Sequence, residues 1–120
     1  MLTWTEQELN DIINLAFEIL TKKKHLQVKL KKYWIGSGYS DDNSLNIVYH
    51  HEAVDKESHF FVTSSILEDG DLAIDRLANL RNIKDPKLKI ALRIAYYVFK
   101  DYKRVLKRVN WRDFEDDYEY

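Results

Sequence analysis

The sequence contains no cysteine, one proline and three glycines in 120 residues. Without cysteine there is no disulfide framework, no thiolate metal site and no cysteine nucleophile. No run of about 18 apolar residues occurs, which excludes a membrane-spanning helix. The opening Met1-Leu2-Thr3-Trp4-Thr5-Glu6 turns acidic where a secretory signal would be basic and then apolar, so a cytoplasmic protein is expected. No charge of one sign dominates either, the formal net charge being -1. What the chain does have is 45% hydrophobic residues, far too many for a disordered segment and enough for one core.

Periodicity divides the chain. Thr5 with Glu8 forms a capping-box pattern, and Thr3 with Glu6 offers a second start. Leu9, Ile12, Ile13, Ala16, Phe17 and Leu20 then share one helical face, so a helix is expected over Thr5 to Lys24. Leu26, Val28 and Leu30 alternate with polar residues as in a half-buried strand that runs on through Tyr33-Trp34-Ile35. The stretch Gly36 to Ser44 reads as a loop. A second strand, Leu45 to His51, puts Leu45, Ile47, Tyr49 and His51 on one face; a third, His59 to Ile66, does the same for Phe60, Val62, Ser64 and Ile66. Short links favour a three-stranded antiparallel meander.

After Glu68-Asp69-Gly70, Asp71 is expected to cap a short helix reaching about Asn82, with Ala73, Leu77 and Leu80 inward. The alternative is an Asp-Gly hairpin with Leu72-Ala73-Ile74 as a fourth strand. Asp85-Pro86 opens a long helix. Its apolar face is Leu88, Ala91, Leu92, Ala95, Phe99, Tyr102, Leu106 and Val109, with Ile90, Ile94 and Tyr97 as a second flank. The fold class is α+β: an N-terminal helix, a three-stranded antiparallel sheet, then a short and a long C-terminal helix. Residues 1–110 form the domain, and residues 111–120 an acidic aromatic tail.

The near-zero net charge hides segregation. Lys22 to Lys32 holds six lysines and no acid; Lys84 to Arg108 holds nine bases against two acids. Lys100, Lys103, Arg104, Lys107 and Arg108 fall at i, i+3, i+4, i+7 and i+8, one basic stripe on the last helix. Such a stripe can grip phosphates, with Tyr96, Tyr97 and Trp111 available for stacking and Lys29, Lys31 and Lys32 as a second patch if the fold brings them alongside. It can equally be a solvated face neutralised by the tail. The isoelectric point of about 6.4 argues against nucleic acid, whereas binding responds to the local field rather than the total. The tail, with Trp111, Phe114, Glu115, Asp116, Asp117 and Tyr118, is either a frayed end or an aromatic-acidic docking element for a basic site on a partner.

Catalytic and metal patterns are weak. If Tyr49 faces Val62, His50 and His59 lie diagonally on one sheet face and could share a metal with Glu52 or Asp55, but no zinc spacing is matched. Gly36-Ser37-Gly38 lacks the lysine and helix start of a phosphate-binding loop, and Ser64-Ser65 has no nearby histidine. Asp41-Asp42 and Asp69/Asp71 suit turns as well as cations, and Glu52, Asp55, Lys56 and Glu57 have only generic nuclease-like spacing. No enzyme and no cofactor is expected.

Asn10-Asp11-Ile12-Ile13 in the first helix, Gln27-Val28-Lys29-Leu30 in the first strand and Phe61-Val62-Thr63-Ser64 in the third carry a resemblance. Together with the order helix, three strands, two helices, they make the chain similar to small phage anti-CRISPR proteins over about its first two-thirds. Those proteins are strongly acidic nucleic-acid mimics, and this near-neutral chain has that sign only in its tail and at Asp41-Asp42. The resemblance implies a single-domain protein that acts by occupying another macromolecule's surface. A phage or mobile-element inhibitor is therefore the first functional expectation. It would present Trp111 to Tyr118 with Tyr39, Asp41 and Asp42 to a protein or nucleoprotein target. The second is a nucleic-acid-binding regulator using Lys100, Lys103, Arg104, Lys107, Arg108, Lys29 and Lys31. The third is a self-associating component using Tyr96-Tyr97 and the open sheet face.

Overall fold

The computed structural model describes residues 4–36, 44–68 and 70–118, with side chains up to 107. The capping box forms as expected: the Glu8 amide donates to Thr5 Oγ1 and the Thr5 amide to Glu8 Oε1, both at 3.1 Å. Helix α1 spans Glu6–Glu18 and continues as a π-helical turn, Ile19–Lys23. Its stripe Leu9, Ile12, Ile13, Ala16, Phe17 and Leu20 is buried throughout.

Strands β1 (Val28–Ile35), β2 (Leu45–His51) and β3 (Lys56–Val62) form an antiparallel sheet in that order. Between Leu30 and Lys32 the β1–β2 register shifts at a bulge. The inward series therefore changes parity, from Val28 and Leu30 to Tyr33 and Ile35. An extra residue in one strand reverses the side-chain phase of everything after it.

The third strand differs from expectation. It begins at Lys56, after a four-residue turn in which Asp55 takes φ 52°, and pairs Tyr49 with Ser58 rather than Val62. The inward residue Ser58 is polar, so the apolar alternation starts late and conceals the first part of the strand. The strand ends at Val62 because Ser64–Leu67 coil into a 3-10 turn. That turn buries the consecutive residues Ile66 and Leu67, which a strand would point to opposite faces.

The segment after Gly70 is helical, not a fourth strand: α2 spans Ala73–Leu77. Its first residue outside the helix is Leu72, not Asp71, and the capping acceptor comes from inside, the Leu72 amide donating to Asp75 Oδ2 at 2.9 Å. The helix stops early because Asn79 adopts φ 59°, a left-handed stop that asparagine tolerates. Leu80 is buried as expected, but Leu77 is 72% exposed; Ile74 and Asp75 point inward instead.

Helix α3 spans Pro86–Tyr118, capped by Asp85, whose Oδ1 accepts from the Lys87 amide at 3.1 Å. Its most buried line is Ile90, Ala91, Ile94, Ala95 and Val98, while Leu88, Leu92, Phe99, Tyr102 and Leu106 are half-buried flanks. Helices α1 and α3 pack on one another under one face of the sheet, closing the core around Tyr49, Ile47 and Leu45. Among the described residues no helix is long and apolar enough to cross a membrane.

Candidate functional site

Two polar groups on the inward face of α3 organise everything around them. Arg93 is completely buried and donates through Nε to Asp75 Oδ1 (2.8 Å) and through Nη2 to Asp75 Oδ2 (2.7 Å). Its Nη1 also donates to the carbonyls of Ile66 (3.2 Å) and Glu68 (2.8 Å). One guanidinium thus fastens the 3-10 turn, the following loop and α2 to α3. The same hydrogen bonds from Arg93 hold the Asp75 carboxyl down to about 2 against the cost of its burial.

Two turns further on, Asp101 Oδ2 accepts from Tyr49 Oη (2.6 Å) and Ser58 Oγ (2.5 Å), while Oδ1 faces Arg104. Burial pushes this carboxyl up, but the Ser58, Tyr49 and Arg104 donors together outweigh it and the net shift is downward. Burial and the same carboxylate raise the Tyr49 phenol far above its ordinary range. Beside it, His51 is buried and stacked on Tyr102, ring centroids 4.1 Å apart and planes 4° from parallel. Neither of its nitrogens has a hydrogen-bond partner among the described residues, and desolvation lowers its pKa.

Asp101 and Arg104 also line an open groove of about 580 Å³ between β3 and α3. Its apolar wall is Phe60, Phe61, Val62, Ile66 and Tyr97, with Lys100 and Arg104 on the cationic side. Phe61 is 53% exposed, one of two large hydrophobic side chains so placed among the described residues. β3 pairs only with β2, so its outer edge borders the groove unpaired within the sheet.

The basic stripe takes shape beside this groove. Lys100, Lys103, Arg104 and Lys107 are exposed. Lys100 Nζ lies 5.4 Å from the Tyr96 ring centre and Lys103 Nζ 4.8 Å from that of Phe99. These contacts orient the cations without neutralising them. Among the described residues only Arg104 of the four has a carboxylate partner. The Arg108 side chain lies outside the described residues.

The other expected residues are placed differently. Lys29 and Lys31 belong to β1, at the opposite edge of the sheet from the groove. Lys29 pairs with His50 on the face away from α3, so these lysines do not extend the α3 stripe directly. Tyr39, Asp41 and Asp42 lie outside the described residues, as do the side chains of Trp111, Phe114, Glu115, Asp116, Asp117 and Tyr118. His50 pairs with Asp55 at 3.1 Å and His59 with Asn46 at 3.2 Å. Among the described residues no three metal-ligating side chains converge. Tyr96 and Tyr97 are half-buried and meet edge to face.

Sequence reasoning missed Phe61 and Asp101 as site residues. Phe61 sits out of phase with the core face of β3, and that parity was the available signal. Asp101 carried no signal, because an acid in a basic run reads as a surface partner. Comparison with protein-family models, with curated proteins and with solved structures finds no match.

Proposed function

We propose that this chain is a small non-enzymatic nucleic-acid-binding regulator whose working surface is the cationic face of α3 together with the groove beside β3. The observation that carries this reading is that Lys100, Lys103 and Lys107 stand exposed, without carboxylate partners among the described residues, and that Lys100 lines the same groove as the exposed ring of Phe61. Phosphates are drawn by such a local cluster whatever the total charge. The continuation of α3 through Tyr118 supports it further, since a helix that runs on carries residues 113–118 away from Lys100 at about 1.5 Å per residue.

The test is binding of fluorescein-labelled mixed-sequence oligonucleotides by anisotropy at 50 and 200 mM salt. Affinity should fall steeply with salt, and Lys103→Glu with Lys107→Glu should remove most of it. Arg81→Glu with Lys84→Glu, the same charge change at exposed positions before α3 begins, about 21 Å from Lys100 as measured from Pro86 along the helix axis, should alter it little. Salt-insensitive binding, or equal loss in both variants, contradicts the reading.

A second reading is a protein-directed inhibitor of the kind the anti-CRISPR resemblance implies. It is favoured by the open β3 edge and the apolar wall of the groove, which suit an extended apolar-acidic segment adding as a fourth strand. Under that reading the Lys103→Glu/Lys107→Glu variant retains its activity and Phe61→Asp loses it.

A further inference from the structure

The sheet has a second face, and its nine outward positions form a three-by-three grid fixed by the register. Lys29, His50 and Glu57 make the first row, Lys32, Val48 and His59 the second, Trp34, Asn46 and Phe61 the third. Helices α1 and α3 lie on the other face, where Tyr49, Ser58 and His51 meet Asp101 and Tyr102. The middle of this face is covered, Asn46 and Val48 both being buried, so any open surface lies toward its edge strands. The edge strands carry three rings toward one end of the grid: His59 is exposed and its ring lies 5.2 Å from that of Trp34 across β2, and Phe61 is more than half exposed.

The β1 side of that end is also cationic. Lys32 Nζ lies 5.5 Å from the Trp34 ring centre, Lys29 follows on the same strand, and exposed Lys31 stands at the bulge between them. The acids lie in the first row, which Lys29 shares, where Glu57 stands opposite His50 and Asp55 pairs with it, so Lys32 is the cation nearest the rings. Phe61 belongs both to this end of the outer face and to the groove that Lys100 and Arg104 line, so it joins the two surfaces around the free edge of β3.

We propose that the outer sheet face is a base-stacking platform for single-stranded nucleic acid, with Trp34, His59 and Phe61 offering the rings and Lys29 and Lys32 the phosphate contacts. The inference rests on the nucleic-acid reading above and adds its substrate class. Rings lying on a sheet accept unpaired bases, because every base has a π-face; a duplex keeps its bases stacked inside and presents only phosphates to the same residues. The strand would follow α3 past Lys100, cross Phe61 at the sheet edge, and lay its bases on Trp34 and His59.

The test compares a 12-nucleotide oligo-dT, a 12-nucleotide oligo-U and a 12-base-pair DNA duplex on the full chain. Both single strands should bind at least about tenfold more tightly than the duplex, the scale of one or two stacked bases. His59→Ala and Phe61→Ala, substitutions at exposed positions that should leave the circular dichroism spectrum unchanged, should each weaken single-strand binding about tenfold and leave duplex binding within about twofold. Trp34 is half-buried, so its role is read without substitution: a photoactivatable 4-thiouridine strand should crosslink to the peptide carrying it. Failure of the wild type to bind any of the three probes overturns the functional reading itself. Binding that ignores strandedness and survives both substitutions overturns only the platform and leaves the α3 surface standing.

Discussion

Arg93 and Asp75 form a two-point ion pair in which both side chains are almost wholly removed from water, Nε–Oδ1 at 2.8 Å and Nη2–Oδ2 at 2.7 Å. Lys89 approaches the same carboxylate at 3.8 Å and Asp71 at 3.6 Å. The pair stabilises less through its own attraction than through the carbonyls it satisfies, since two desolvated charges roughly offset their mutual gain. Removing one partner is another matter. Asp75→Ala leaves a buried guanidinium without its counter-ion and should cost about 3–5 kcal/mol in urea unfolding. The double variant Asp75→Ala/Arg93→Met should be more stable than Asp75→Ala alone; equal or lower stability would contradict this account of the pair.

Acid should unfold the protein in two stages. His51 is buried neutral with a lowered pKa, so below its ordinary value of 6.5 the unfolded chain takes up a proton that the folded one resists. Stability therefore falls as pH drops from about 6.5. The second stage belongs to Asp75 and Asp101, whose depressed values give stability that is complete above the usual carboxylate range and is lost as pH falls below it, for Asp75 toward about 2. Thermal melts from pH 7.5 to 3 should show both, and His51→Leu should flatten the stage that begins near 6.5 while leaving the acid limb in place.

Tyr49 and Ser58 share one acceptor oxygen on Asp101, across the interface of sheet and α3. Asp101→Ala should cost about 2–3 kcal/mol because it strands two buried hydroxyls, and Tyr49→Phe only about 1, since it removes a donor and leaves Ser58 and Arg104 to the carboxylate. A Tyr49→Phe cost as large as that of Asp101→Ala in denaturant unfolding would contradict this sharing.

Leu77 and Ile74 share the short α2 yet should behave oppositely. Ile74→Ala empties a buried position and should cost about 2–4 kcal/mol, whereas Leu77→Ser, at a site 72% exposed, should stay within about 0.5.

These same residues mark how far the sequence could be read. α1, the Asp85-Pro86 start of α3 and the inward face of β2 were legible, because apolar period and capping chemistry agreed there. The inward polar residues were not. Ser58 broke the alternation of β3, Asp75 displaced Leu77 from the inward face of α2, and Arg93 and Asp101 counted as surface charge although α3 buries both. Each is paired with a group distant in sequence: Asp75 to Arg93, Ser58 and Tyr49 to Asp101. Local patterning carries no trace of such a partner. The basic stripe was legible as spacing, but its setting beside Phe61 depended on where β3 ends, and the 3-10 turn that ends it is fixed by burial of Ile66 and Leu67 in the assembled core.

The most direct test of the central claim is a backbone amide NMR titration of the isotope-labelled chain with a short single-stranded oligonucleotide at 50 mM salt. The account predicts shifts concentrated at His59–Thr63 and along Tyr97–Lys107, with Lys32–Trp34 joining them if the sheet face is engaged, reversed by raising salt, with α2 and the first turns of α1 undisturbed. An unchanged spectrum at saturating oligonucleotide, or shifts confined to α1 and α2, would contradict it.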